Sequence, residues 1–529
     1  MKRGSAATLL ARLLARLATL AGLVLRSTPA EAGEVPAPVL SRATIEGAVE
    51  GPDPVGEDRI DAAAKSTGLD SLTAVQPRTR ILTFAEVLDS LGAHDPRLVA
   101  ARTRVDAAEG RRLAARGGFD GRLALRGLVQ PLSYYEYGVV DVRYEQPTPL
   151  WGLGVWTGWR LGLGEFPIYE GKLQTAEAGE LRVGATLPLW QGGPIDRRRA
   201  NIRQAELGLE RADLELDAAQ LRLQAAAAEA YWNWVAAGLA LEIERSLLDI
   251  ARERDAGLRR QIELGALEAI VGKDNRRVVL AREARVVGAE REFQAAALEL
   301  SLFLRDATGE PLVAGADRLP LRMPEPAPPG VVDVDAEIEA ALARRPDLAA
   351  ATQTRAQAQV EVRVAKNLRS PSIDVSAWAA KDIGRGPADL LPAEFAAAIE
   401  IEIPIPLREA RGRLQTARAE LSRLDAELRF ASDRVALEVR DAHFAVTAAF
   451  SRAQLAGEQV ELARELAEAE LRRFTLGAGD LLLVNLRELA TATAAREQVE
   501  ALAAYFVATA ELHVALGLSV QSAYDSPQK

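Results

Sequence analysis

The chain contains one pattern twice, and this internal duplication limits the folds open to it more than any other feature. In the first copy an amphipathic helix is predicted from Leu82 to Leu98, with Asp95 within it, and an alternating segment follows. Four positions recur 250 residues later: Pro96 and Pro346, Leu98 and Leu348, Leu123 and Ile373, and Leu125 and Val375. The match holds its register across a helix and into a strand, so the two copies share one plan.

A second group of matches recurs after 212 residues, where Leu264, Gly265 and Ala266 correspond to Leu476, Gly477 and Ala478. The shorter offset means that the copies differ by insertions. We place the first repeat at residues 81–325, with long helices at about 194–308, and the second at 326–518, with long helices at about 407–517. Residues 519–529 form a C-terminal tail.

The N-terminus has the pattern of a secretory signal peptide over residues 1–32. Basic residues precede a nine-residue apolar run from Leu17 to Leu25, and Ala30, Glu31 and Ala32 supply a cleavage site. A run of this length is too short to cross a bilayer as a helix. An amphipathic first helix is the alternative. Residues 33–80 contain several prolines and little periodicity, which predicts an extended or mobile lead-in.

Charge and cysteine content exclude several classes of protein. The formal net charge is −10, and the predicted signal contributes +4 through five basic residues and Glu31, so the mature chain carries about −14. Nucleic acid is therefore not expected as a partner. The absence of cysteine excludes a disulfide, a thiolate metal site and a lipid-modified N-terminal cysteine.

Two leucine series indicate that the long helices pack on two sides. Leu207, Leu214 and Leu221 form one seven-residue series, and Leu209, Leu216 and Leu223 form another on nearly the opposite face. In the second repeat Leu414, Leu421, Leu428 and Val435 follow the same spacing, with Leu424 in the knob position. Helices that pack against neighbours on both sides can form a continuous layer, and a layer that closes on itself forms a tube. An ordinary dimeric coiled coil explains only one of the two seams.

The strands alternate between apolar and polar residues. They are predicted at about 150–164 and 178–190 in the first repeat and at about 371–380 and 395–405 in the second. Glu400 and Glu402 share one face, which is acceptable toward a water-filled lumen and not toward lipid. Four strands cannot close a barrel, so a membrane barrel requires several chains. The edge of a soluble sandwich is the alternative.

Together these features resemble the TolC-like outer membrane efflux proteins, over roughly residues 82–517. The resemblance is carried by the signal, the duplication and four short segments, which are Arg345 to Leu348, Leu187 to Gly193, and the two Leu-Gly turns at Gly265 and Gly477. It implies a chain that is mainly α with membrane β. Three copies would form a twelve-stranded outer membrane β-barrel continued by a long periplasmic α-helical coiled-coil barrel. No cofactor is implied.

The resemblance also implies partners and roles for particular residues. The homotrimer would lie in the outer membrane lipid of a Gram-negative cell and join a periplasmic adaptor and an inner-membrane pump. Gly265 and Gly477 would lie at the coiled-coil tips where the adaptor docks, although plain helix C-caps explain them equally well. Pro188 and Pro404 would mark the change from strand to helix.

The periplasmic entrance departs from the family pattern. Acidic side chains often narrow this entrance shortly after the second tip glycine, but this chain has Leu483 and Leu486 at the aligned positions, with Asp480 and Asn485 nearby. A ring of leucines would close the tube by apolar contact and dewetting. The first repeat also departs from the plan, since a tyrosine- and tryptophan-rich insertion at about 130–165 adds about 40 residues. We expect extra β structure there, as an aromatic girdle or as a packed loop.

Catalytic roles find no support in the sequence. His94, His443 and His513 stand far apart with no ligand partner at metal-binding spacing. We therefore expect a passive duct that carries pump substrates from periplasm to exterior. The exit duct of a type I protein secretion system has the same architecture, and an exported coiled-coil scaffold without a pore is the alternative of another class.

Overall fold

The computed structural model describes residues 80–167, 173–265, 267–403, 405–476 and 478–521. The predicted signal peptide and lead-in lie outside these ranges, apart from residue 80. Most of the predicted C-terminal tail lies outside them as well, and so do Gly477 and Pro404.

The described chain is mainly helical, with six strands. The helices are α1 Phe84–His94, α2 Pro96–Arg116, α3 Arg197–Glu263, α4 Ala269–Leu300, α5 Val334–Arg344, α6 Pro346–Asn367, α7 Arg408–Thr475 and α8 Leu481–Ala515. The strands are β1 Arg122–Gln130, β2 Tyr137–Pro147, β3 Gly154–Gly164, β4 Glu180–Pro188, β5 Ser372–Asp382 and β6 Glu394–Glu402. Among the described residues no helix has both the length and the apolar character needed to cross a membrane.

The chain packs as two units. The first holds Leu113–Ile202 and Val360–Ala417 and contains every strand named above. The second contains most of the helical residues, in 203–359 and 418–521 together with 80–112.

The strands form one antiparallel sheet in which neighbours in sequence are neighbours in space, in the order β1 to β6. Arg122 of β1 lies opposite Glu145 of β2, and Ser372 of β5 lies opposite Glu402 of β6. The two repeats meet at β4 and β5, where Thr186 lies opposite Ser376. Such a meander places residues that face each other across strands on the same side of the sheet.

The number of strands corrects the sequence prediction. The resemblance implied four strands per chain, hence twelve in a trimer, but the sheet of this chain contains six. The first repeat places β2 and β3 between β1 and β4, whereas β5 and β6 of the second repeat pair directly. Extra β structure was expected in this insertion, and there the structure has a complete hairpin that joins the sheet.

The second unit is held together by a core of aromatic and small residues. Trp232 stacks on Phe506 with ring centroids 4.3 Å apart, and Trp234 is fully buried. The Tyr231 hydroxyl donates to the Leu82 carbonyl at 3.1 Å, which fixes the start of α1 against α3. Large aromatic side chains bury much apolar area each, so this cluster anchors the long helices.

The leucine series on the long helices are only partly covered within one chain. Leu207 and Val435 are buried, while Leu214, Leu221, Leu209 and Leu216 are half-buried. Half-buried leucines at seven-residue spacing fit helices that meet further helices on their remaining side.

Candidate functional site: a two-faced sheet and a helical tip

The two faces of the sheet differ sharply in chemistry. The strand register places one set of mostly apolar side chains on a common face, and Lys381 at the end of β5 is the one charged residue among the paired positions of that face. Val140 and Leu161 on this face are buried. Nine other large side chains of the face are 39% to 77% exposed: Leu123, Leu125, Tyr144, Val155, Leu181, Val183, Phe395, Ile399 and Ile401. Exposed apolar side chains grouped on one face are typical of an interaction surface.

The opposite face carries the charges. Its charged members are Arg122, Arg126, Asp141, Arg143, Glu145, Arg160, Glu180, Arg182, Asp374, Asp382, Glu394, Glu400 and Glu402. Strands of 9 to 11 residues with one apolar and one polar face have the length and pattern of tilted strands that cross a bilayer.

Ion pairs connect the inserted hairpin to β4 on this polar face. Arg160 of β3 donates to Glu180 of β4 at 2.6 Å, and Arg182 of β4 pairs with Asp141 of β2. The Arg182 Nε also lies 3.7 Å from Glu180. These side chains are between 9% and 25% exposed, so the network is largely shielded and helps to fix the hairpin in the sheet.

Gly184 leaves room for two tryptophans on the polar face, one from each neighbouring strand. A Cβ at this position would lie 2.7 Å from the Trp156 ring and 2.8 Å from the Trp378 Cβ. The Arg143 guanidinium also packs on Trp156, 4.1 Å from the ring centroid. Glycine is therefore required in the middle of β4, because any side chain would displace one of the rings.

Pro188 is the last residue of β4, as expected for a residue that cannot continue a ladder. Beyond the strand the chain stays beside the start of β5, where the Leu189 N–H donates to the Ile373 carbonyl at 2.8 Å and the Gln191 N–H donates to the Pro371 carbonyl at 3.3 Å. The equivalent residue of the second repeat, Pro404, lies outside the described residues, and its predicted role stays a prediction.

The turn after α3 has the geometry that its Leu-Gly sequence predicts. Gly265 has a φ of 75° and its N–H donates to the Ile262 carbonyl at 2.9 Å, which ends the helix. A Cβ there would meet no atom within 4 Å, so a larger side chain would fit. Glycine is favoured at this position because of its positive φ. Leu264 beside it is 83% exposed, and Leu476 at the equivalent turn is 84% exposed.

The start of α8 separates the three residues predicted to form the entrance. Asp480 is the N-cap, and its carboxylate accepts from the Leu482 N–H at 2.9 Å. Leu483 and Leu486 are 41% and 51% exposed and lie three residues apart on one face of the helix. Val484 and Asn485, in contrast, are buried. The leucines thus form an apolar surface that the chain itself leaves uncovered.

A buried polar network behind this surface was not found from the sequence. Arg254 of α3 donates to Asn485 at 2.8 Å and to Glu488 at 3.0 Å, both on α8. Arg282 of α4 donates to the same Glu488 at 3.0 Å and to the Leu247 carbonyl of α3 at 2.8 Å. Glu488 therefore ties α8 to both helices of the α3–α4 hairpin. Single arginines and glutamates in charged helices give no sequence signal that they will meet across 200 residues.

Comparison with solved structures identifies the fold. The chain is similar to the outer membrane protein VceC of Vibrio cholerae, with a TM-score of 0.59, 19% identity and coverage of 83% of this chain and 96% of that chain. The open-state MtrE outer membrane channel of Neisseria gonorrhoeae has a TM-score of 0.59 and 18% identity over 83% of this chain and 89% of that one.

A third solved structure, the CmeC outer membrane channel of Campylobacter jejuni, has a TM-score of 0.58 and 13% identity over 84% of this chain and 90% of that chain. At these identities the comparison establishes the fold, which is that of the outer membrane channel protomers. Comparison with curated proteins by sequence gives no match.

A sequence match supports the same class of protein. Residues 338–518, nearly the whole second repeat, match the family described as outer membrane efflux protein. The resemblance to the TolC-like outer membrane efflux proteins is thereby confirmed.

Proposed function

We propose that three copies of this chain form a passive exit duct in the outer membrane of a Gram-negative cell, as the outer component of a tripartite efflux pump. The duct carries pump substrates from the periplasm to the exterior and needs no cofactor. The observation that carries this proposal is the division of the sheet into an exposed apolar face and a charged face on strands long enough to cross a bilayer.

The long helices supply the periplasmic part of the proposed duct. One helix of 67 residues extends about 100 Å at 1.5 Å per residue. The half-buried leucine series on these helices provide seams for neighbouring copies. A closed ring of such helices encloses water and bars the periplasmic contents from the lumen.

The helical turns at Gly265 and Gly477 are the proposed docking points for a periplasmic adaptor, which joins the duct to an inner-membrane pump. Leu264 and Leu476 support this assignment because both side chains lie beside the turns and are almost fully exposed. Exposed apolar residues at the end of a long helical hairpin are suited to contact another protein. Loss of adaptor binding on Leu264→Asp, with trimer assembly intact, distinguishes docking from simple helix capping.

The entrance of the duct is assigned to the start of α8. Leu483 and Leu486 of three copies would meet around the axis and close it by apolar contact, while Asp480 begins the helix. Opening requires the helices to untwist at this inner end. Leu483→Ser would weaken the closed ring, and the resting conductance of the channel measures that change. We assign Pro188, and by the shared plan of the repeats Pro404, to the change from strand to helix.

Detergent extraction followed by planar-bilayer recording tests the proposal. A protein that requires detergent, has the mass of a trimer in it and gives discrete conductance steps supports the duct. A water-soluble dimer that never inserts would leave the coiled-coil scaffold as the better description. Cells that lack the chain separate an efflux duct from a type I secretion duct. Loss of small-molecule export in these cells indicates efflux, and loss of export of a protein substrate indicates type I secretion.

A further inference from the structure

The first repeat contains a hairpin that the second repeat lacks. The offset between the repeats is 250 residues from Arg122 in β1 to Ser372 in β5, but 214 from Glu180 in β4 to Glu394 in β6. The difference of 36 residues is taken up by β2, β3 and their turns. Without them β1 would lie beside β4, as β5 lies beside β6.

The sheet has two open edges in the described chain. β1 pairs only with β2, and β6 pairs only with β5. Each edge is nine residues long and is exposed along nearly its whole length. Within a bilayer an unpaired edge leaves backbone donors and acceptors without partners, so both edges require another strand.

The charges along these two edges are opposite in sign. On the polar face β1 carries Arg122 and Arg126, and β6 carries Glu394, Glu400 and Glu402. None of these five side chains forms an ion pair with another described residue, whereas Arg160, Arg182, Asp141 and Glu180 in the middle of the sheet are paired with one another. Arg122 and Glu402 also lie at the strand ends that connect to the helices.

We propose that β6 of one copy pairs with β1 of the next, so that three copies close a barrel of eighteen strands rather than twelve. This inference rests on the proposed trimeric duct. With six antiparallel strands per copy, β6 runs opposite to β1, and the alternation continues unbroken across each junction. The same register of faces then sets the β6 glutamates beside the β1 arginines on the water-filled side.

The additional strands make the barrel wider. With strands about 4.8 Å apart and tilted by about 40°, eighteen strands give a backbone diameter of about 36 Å, compared with about 24 Å for twelve. The enclosed cross-section therefore rises about twofold. The ion pairs among Arg160, Glu180, Arg182 and Asp141 would line this wider lumen and hold the inserted strands in place.

Cysteine cross-linking tests the junction directly, since the chain has no cysteine of its own. The full-length protein carrying Arg122→Cys and Glu402→Cys is treated in outer membranes with a short bismaleimide. Covalent dimers and trimers are expected on a denaturing gel. The matched control carries Ser372→Cys and Glu402→Cys, which face each other within one chain and must give only cross-linked monomer.

The charge complementarity has its own test. The cysteine pair for this test is Ala124→Cys in β1 and Ala398→Cys in β6, which lie on the same face as the charges. In that background, Arg122→Glu combined with Arg126→Glu should lower the yield of cross-linked trimer. Adding Glu400→Arg and Glu402→Arg should restore it. A yield that falls and is not restored by the reversed pair contradicts the assigned junction.

Removal of residues 137–164 tests the width. This deletion takes out β2 and β3 and leaves the turn after β1 to enter β4, which is the plan of the second repeat. Neutral polymers added on the external side measure the lumen through the largest polymer that still enters. We expect this size limit to fall in the deletion variant, because its lumen would have about half the cross-section. An unchanged limit in a conducting variant overturns the eighteen-strand barrel.

The outcomes separate this inference from the proposed function. A protein that never conducts contradicts the duct itself. A protein that conducts, has free thiols accessible at both sites and yields only monomer from the Arg122→Cys and Glu402→Cys pair contradicts the junction alone. The cross-linking result decides the junction even where the deletion variant does not fold.

Discussion

The Arg97 guanidinium folds back across Pro96 and donates to both carboxylate oxygens of Asp95, at 3.1 and 2.7 Å. At the equivalent positions of the second repeat Arg345 donates to Asp347 across Pro346, at 3.0 and 2.6 Å. The two charges have exchanged places, yet each pair spans the proline that begins a helix. The duplicated plan has therefore kept the geometry of the pair and not its polarity.

We expect Asp95 to matter more than Arg97 for stability. Asp95 is buried and also accepts from the Arg97 backbone N–H at 2.7 Å, so it caps α2 as well as pairing with Arg97. Asp95→Ala should cost about 1–3 kcal/mol, and Arg97→Ala, whose side chain is 47% exposed, about 1 kcal/mol or less. Apparent melting of the detergent-extracted protein, followed by tryptophan fluorescence, measures both. Equal losses would contradict the capping role.

The two aspartates should also make the protein sensitive to acid. Burial opposes ionisation of Asp95, but the hydrogen bonds from Arg97 outweigh it and hold its pKa below the usual value. Burial likewise opposes ionisation of Asp347, and Arg345 lowers its pKa. Because both pKa values are lower in the folded state, their stabilisation is complete above about pH 4 and is lost as the pH falls through the folded values.

The matched variant for this pH dependence is Asp95→Asn combined with Asp347→Asn. It should melt at a lower temperature than the native chain at pH 7, and the difference should shrink as the pH falls below 4. A difference that stays constant between pH 7 and pH 2.5 would show that the carboxylates contribute through packing only.

Glu511 of α8 should behave in the opposite way. Burial raises its pKa, and the neighbouring Glu229 and Asp441 raise it further. A raised folded pKa means that ionisation of this carboxyl weakens the fold as the pH rises. Glu511→Gln should therefore raise the melting temperature at pH 7, with a gain that disappears in acid, where the native carboxyl is protonated. The exposed Glu465 on α7 supplies the control, because Glu465→Gln should leave the melting temperature unchanged.

Glu488 should hold the helical tip in its closed arrangement. Glu488→Gln leaves Arg254 and Arg282 partly buried without their carboxylate, at a cost of about 3 kcal/mol. We expect a lower melting temperature together with a higher open probability in bilayer recordings, because α8 loses its connection to α3 and α4. Glu500→Gln on the same helix removes only an exposed partner of Arg496 and should change neither property by much. A Glu488→Gln channel with unchanged melting temperature and unchanged open probability would show that this network does not control the entrance.

The sequence predicted the parts of the fold that follow from periodicity. The seven-residue leucine series and the Leu-Gly turn at Gly265 are local patterns, and local patterns determine helix length and helix ends. The strand number was not predicted correctly because β2 has no clear alternation: Val139, Val140 and Val142 place apolar side chains on both faces. The Glu488 network was missed because its partners come from three helices, and only the folded chain brings them together.

Two neighbouring alanines of β6 provide the sharpest test of which face meets lipid. Ala397 pairs with Ala377 on the apolar face, and Ala398 pairs with Ser376 on the polar face, and both are exposed in the single chain. Ala397→Arg places a charge among Phe395, Ile399 and the lipid, at a cost of about 2–4 kcal/mol near the bilayer midplane. Ala398→Arg places the same charge beside Glu400 in water and should cost little.

Assembly into the outer membrane fraction and urea unfolding in lipid vesicles measure the effect of both changes. Each variant replaces one alanine of β6 with arginine, at adjacent positions of the strand. The effects of strand propensity and side-chain size are therefore the same in both, and only the face that receives the charge differs. We expect Ala397→Arg to reduce assembled trimer and Ala398→Arg to leave it near the native level. If the two variants assemble equally, neither face of β6 meets lipid, and the sheet does not cross the membrane as proposed.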